Sequence, residues 1–93
     1  MALVLGVEEG QSVYIGDRRV VLEKIHSPFR FMIRVEGPHM DNVFELTDSE
    51  RTQILPNVYA QAGTGGNLQV VKIAFEAAPN TVILRERLYN ARQ

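Results

Sequence analysis

The chain has no cysteine, which excludes disulfides and thiolate metal sites and fits a cytoplasmic protein. No apolar run approaches the length a membrane-crossing helix needs. The opening MALVLGVEE turns acidic after a few apolar residues and has no basic leader, which argues against a signal peptide. A dominant charge is missing as well, since 10 basic residues face 11 acidic ones for a net charge of −1. No overall positive field draws in phosphate, so any basic patch must come from local placement.

Catalytic and metal-binding patterns are equally sparse. His26 and His39 sit on different turns with no carboxylate cluster or cysteine beside them, so no metal site is expected. Gly63-Thr64-Gly65-Gly66 lacks the Gly-Lys-Ser/Thr ending of a phosphate loop and reads as a hairpin turn. Ser12, Ser27 and Ser49 have no histidine at a suggestive spacing, and no carboxylate pair sits in an apolar setting. The expectation is a protein that is not an enzyme and carries no cofactor.

What is present is a pattern of short strands. The 93 residues are 45% apolar, enough for one globular unit spanning 1–93 but only a small core. A small all-β chain also has sheet edges to cover, so a homodimer is expected. Leu3–Val7 is apolar, Ser12–Ile15 alternates, and Gly16-Asp17 supplies turn chemistry before Arg18–Ile25, which together predict a hairpin. His26-Ser27-Pro28 breaks that strand. Phe29–Glu36 alternates, with Phe29, Phe31, Ile33 and Val35 on one face, and Val43–Leu46 is another short strand.

Thr47-Asp48-Ser49-Glu50 matches a capping box and predicts a short helix stopped near Ile54 by Pro56. Strands are predicted at Asn57–Ala62, Leu68–Glu76 and Val82–Leu84, with a terminal helix over Arg85–Arg92. The fold class expected is therefore mainly β: a small antiparallel sheet protein with one or two short helices. Phe29, Phe31, Phe44 and Phe75 read as core positions, and Tyr89 with Leu88 as the contact packing the last helix onto the sheet.

Charge is uneven along the chain. Residues 1–46 hold five basic groups (Arg18, Arg19, Lys24, Arg30, Arg34) against seven acidic ones, whereas residues 67–93 hold four (Lys72, Arg85, Arg87, Arg92) against Glu76 and Glu86. Arg87 and Arg92 read as a solvated helix face. A weak internal repeat is also visible. Phe31 to Ile54 and Val70 to Ala91 share one layout of alternating strand, proline turn, short strand and acidic-basic helix start.

Two segments carry a resemblance. GQSVYIGD (Gly10 to Asp17) and AAPNTVILRERLY (Ala77 to Tyr89), at opposite ends of the chain and in that order, resemble the second and last elements of the carbon storage regulator family. Those proteins are small dimeric RNA binders that control translation, with strands interleaved between protomers. The resemblance implies an interleaved dimer and a partner in mRNA leaders or small regulatory RNA. It implies recognition of a GGA element in a hairpin loop, where the first strand of one subunit lies beside the last strand of the other. The residues so implied in RNA binding are Arg85, Leu84 and Ile83 on the last strand, Ala78 and Pro79 at the turn before it, and Leu5 and Val4 on the first strand. The family's first-strand arginine falls on Val7 and the basic residue beside it on Glu8; in the internal copy the arginine position falls on Thr47.

Residues 29–67 fit two placements: an insertion between the third and fourth strands, or a degenerate internal repeat in which residues 3–54 are a complete copy and 57–92 a partial second one, letting one chain imitate part of a family dimer. Two other functions stay open beside RNA binding. One is a protein-interaction or assembly module of the same fold, which the apolar Val7 favours. The other is an antagonist that joins a standard family member by strand exchange.

Overall fold

The computed structural model describes residues 2–85, which form nine strands and no helix. The strands are β1 (Ala2–Glu8), β2 (Ser12–Ile15), β3 (Arg18–Ser27), β4 (Arg30–Gly37), β5 (Met40–Thr47), β6 (Thr52–Leu55), β7 (Val58–Ala62), β8 (Val70–Glu76) and β9 (Ile83–Arg85). They build two antiparallel sheets, one ordered β1-β8-β7-β6 and the other β5-β4-β3-β2-β9. The mainly β, antiparallel class read from the alternating strands is the class observed.

Alternation decides which face is buried. Along β4, Phe31, Ile33 and Val35 are fully buried, as are Val71, Ile73 and Phe75 along β8. These two central strands face the same core, joined by Val7, Val13, Val20, Leu22 and Leu46. Phe44 packs against that core half-buried. Phe29, expected on the same face as Phe31, lies outside β4 and is exposed, because β3 runs on through His26 to Ser27 and the turn takes up Pro28 and Phe29. Two register shifts, between Leu22 and Lys24 and between Ile25 and Ser27, let β3 bend without breaking.

The two sheets repeat one another. Moving forty residues along the chain turns the β3–β4 pairs Arg19↔Glu36, Val20↔Val35, Val21↔Arg34 and Leu22↔Ile33 into the β7–β8 pairs Tyr59↔Glu76, Ala60↔Phe75, Gln61↔Ala74 and Ala62↔Ile73. The β1–β8 ladder from Ala2↔Glu76 to Glu8↔Val70 likewise matches the β5–β4 ladder from Asp41↔Glu36 to Thr47↔Arg30. Each half thus gives its first strand to the sheet built by the other half's β2–β4 or β6–β8. Residues 29–67 supply two strands to each sheet. Interleaving of this kind, expected between two chains, occurs here within one.

The helix predicted after Thr47 does not form. The chain bends at residues 48–50, the Thr47 hydroxyl pairs with Ser49 Oγ at 3.0 Å, and β6 begins at Thr52. A helix stopped by Pro56 would be too short to repay its nucleation. The strand instead buries both Ile54 and Leu55 in the core. The terminal helix over Arg85–Arg92, with Arg87, Leu88, Tyr89 and Arg92, lies outside the described residues except for Arg85, which belongs to β9.

The two repeat-related hairpin loops solve the same turn differently. Gly16 takes φ 63° at the first loop position, the conformation that suits the twist of flanking strands. Pro56 cannot, so positive φ moves to Asn57 at 61°, and the β6–β7 register slips between Gln53 and Leu55. Gly16→Ala would meet no atom within 4 Å of its new Cβ, so only the backbone conformation is penalised. The expected cost is about 1 kcal/mol, seen as a fall of about 4–8 °C in the thermal midpoint. An unchanged midpoint would contradict the turn assignment.

Candidate nucleic-acid interface

The edge strands β1 and β9 of the two sheets are bridged at one seam by the Arg85 side chain. Because Arg85 pairs with Val13 across β2–β9, its side chain leaves β9 on the same face as buried Val13 and heads toward the other sheet. There its Nη1 donates to the Gly6 carbonyl oxygen of β1 at 2.7 Å, in a partly buried setting. A neighbouring hydrogen bond closes the end of β1, where the Glu8 N–H donates to Gln11 Oε1 at 3.0 Å. Between these contacts lies a groove of about 430 Å³ walled by Gly6, Glu8, Gln11, Ser12, Val70 and Arg85. Ser12 is 4% exposed, and its buried Oγ has no hydrogen-bond partner among the described residues.

The other expected residues lie along the same seam. β8 carries the chain from Val70, opposite Glu8, to Glu76, opposite Ala2, so the turn containing Ala78 and Pro79 starts at the N-terminal end of β1. Both residues are exposed, and the Ala78 carbonyl accepts from the Thr81 N–H at 2.9 Å to close the turn. β9 then runs back along β2 until Arg85 reaches Gly6. On that path Ile83 packs half-buried against the core opposite Ile15, and Leu84 sits opposite Tyr14. On β1, Leu5 packs against the core while Val4 is exposed. Arg85 and the first strand are brought together at Gly6. Ala78 and Pro79 stand at the far end, away from the guanidinium.

Arg85 differs from most other arginines in its partner. Arg19 pairs with Glu36 at 2.9 Å, Arg30 with Glu45 at 3.0 Å and Arg51 with Glu76 at 2.7 Å, the last also lying over the Tyr59 ring. Arg34 donates to Glu23 and to Asp41, and the hydrogen bond to Glu23, followed by that to Asp41, raises its pKa above the ordinary value. Exposed pairs such as these add little stability, but they do neutralise the cations in them. Arg85 and Lys72 have no carboxylate partner among the described residues.

Sequence reasoning missed Gly6, Gln11, Ser12 and Lys72. Gly6 and Lys72 face each other only through the β1–β8 register, which joins residues far apart in the chain. Nothing in the local pattern signals that pairing. No cluster of three or more metal-ligating side chains occurs among the described residues. No helix there is long and apolar enough to cross a membrane. No family model, curated protein or solved structure matches the chain.

Proposed function

We propose that this protein is a cytoplasmic, non-enzymatic RNA-binding regulator that recognises GGA-type motifs in mRNA leader hairpins and so controls translation. The observation that carries the reading is Arg85, a guanidinium with no carboxylate partner among the described residues, held where the last strand meets the first. Its bond to Gly6 uses one donor and leaves the rest of the planar fork for a base edge or phosphate. Unpaired strand edges supply backbone donors and acceptors of the kind that read splayed single-stranded bases. The resemblance of Gly10–Asp17 and Ala77–Tyr89 to the carbon storage regulator family supports the same surface. Because each sheet is completed within one chain, the single chain is the binding form we favour, and a homodimer would need a further surface.

Titration of a labelled GGA hairpin tests this reading. The expected result is saturable binding at least about tenfold tighter than to the same hairpin with GGA replaced, a difference of about 1.4 kcal/mol. Equal affinity for both hairpins, or none for either, would refute it.

A second reading, a protein-interaction module, is favoured by the neutralisation of Arg19, Arg30, Arg34 and Arg51 in ion pairs. Antagonism by strand exchange is less favoured. β1 would first have to give up seven cross-strand pairs with β8 of its own chain.

A further inference from the structure

We propose that Lys72 and Arg85 form a two-cation clamp on the RNA phosphodiester backbone at the β1–β9 seam, and that the repeat-related position is closed, so each chain holds one RNA strand. This rests on the RNA-binding reading above and names residues and a stoichiometry that the reading does not supply.

Both cations converge on one residue. Lys72 is the cross-strand partner of Gly6, and a Cβ placed on Gly6 would stand 3.2 Å from Lys72 Nζ and 3.1 Å from Val70 Cγ1. The ammonium therefore lies over backbone that glycine leaves bare. From the other side Arg85 Nη1 reaches the Gly6 carbonyl at 2.7 Å. Neither cation meets a carboxylate among the described residues, so a phosphate arriving there does not have to displace one. The groove lined by Gly6 and Arg85 also holds the buried, unpartnered Ser12 hydroxyl, a polar group that a bound oxygen or N–H would satisfy. Glu8 opposes the clamp. Its carboxylate borders the groove and accepts from Gln11 Nε2 at 3.1 Å.

Among the described residues, the repeat-related position has none of these features. There the pair Glu45↔Met32 replaces Gly6↔Lys72. Glu45 Oε2 lies 3.0 Å from Arg30 Nη2, so a carboxylate and its own counter-ion fill the place of the bare glycine and free lysine. The strand following β4 is β5, which is engaged along its length with β4, so among the described residues no strand corresponds to β9 and no arginine to Arg85.

The clamp is tested by anisotropy titrations of a labelled GGA hairpin and a labelled uridine homopolymer at two salt concentrations. Lys72→Ala is expected to weaken both probes equally, about fivefold, and to lower the salt slope by about one, while Lys72→Arg stays near wild type. Gly6→Ala keeps both charges but puts a methyl where the ammonium lies, and is expected to weaken both probes roughly two- to threefold. Glu8→Gln removes the opposing charge and is expected to tighten both. Thermal melting checks that each variant is folded. If Lys72→Ala or Glu8→Gln leaves affinity and slope unchanged while GGA is still preferred, the clamp is overturned and the RNA reading stands. If both probes bind through Lys72 without a GGA preference, the clamp stands and the GGA reading falls. Binding of neither probe overturns both, and two RNA strands per chain overturn the closed second position.

Discussion

Arg85→Ala is expected to weaken binding of a GGA hairpin by about 10- to 150-fold, the loss that follows when charge-assisted hydrogen bonds of about 1.5–3 kcal/mol are removed. The effect should fall on recognition more than on folding. In the free protein Arg85 makes one hydrogen bond to the Gly6 carbonyl on a sheet edge, where water can replace it. The thermal midpoint should therefore move by less than about 8 °C. Arg85→Lys separates charge from geometry. Lysine keeps the positive charge but not the planar fork, so general RNA affinity should largely return while the preference for GGA does not. A full loss of folding in Arg85→Ala, or affinity equal to wild type, would remove Arg85 from the proposed role.

Phe31→Ala should produce the largest change in stability. Phe31 is fully buried on β4, opposite Leu46 on β5 and Ile25 on β3. Truncating a buried phenylalanine costs about 3–5 kcal/mol, partly from transfer and partly from the cavity left behind. A chain of this size has about 5–15 kcal/mol in all, so the variant should melt at least about 12 °C lower and approach unfolding at room temperature. Phe29→Ala is the matched control. Phe29 lies two residues away, exposed in the turn before β4, and its loss should stay within about 0.5 kcal/mol. Similar midpoints for the two variants, measured by circular dichroism, would show that the core is not where the structure puts it.

The contrast between those two phenylalanines marks how much was legible in the sequence. The sequence pattern located every strand but β6, with the buried face of β4 and the hairpin at Gly16-Asp17, because a period of two is a local signal. It misplaced Phe29 because His26-Ser27-Pro28 was read as a break, whereas β3 continues to Ser27 through bulges that no periodicity reveals. The capping box at Thr47 failed for a related reason. Thr47 and Glu50 have the right spacing for a helix start, but burial of Ile54 and Leu55 against the sheets outweighs a local preference worth about 1 kcal/mol. The resemblance at the two ends singled out Arg85, and the structure seats that residue against β1.

What the sequence hid is long-range. A weak echo of Phe31–Ile54 in Val70–Ala91 was visible, but the structural equivalence begins earlier, with β1 matched by β5. Buried residues in matching positions stay apolar, as Phe31 matches Val71 and Ile33 matches Ile73, but several outward ones share little chemistry: Arg19 matches Tyr59 and Gly6 matches Glu45. Beyond that buried pattern the halves keep register in common, and register appears only once strands distant in sequence are paired. In the proposed clamp, the difference between Gly6 and Glu45 is also what would make the two halves unequal.

Native mass spectrometry of the protein mixed with an excess of GGA hairpin tests the central claim most directly. One chain with two interleaved halves and one usable seam predicts a dominant species of one protein chain and one RNA, lost when GGA is replaced or when Arg85 is alanine. A dimer carrying two RNAs, or an RNA-free protein at every concentration, would contradict it.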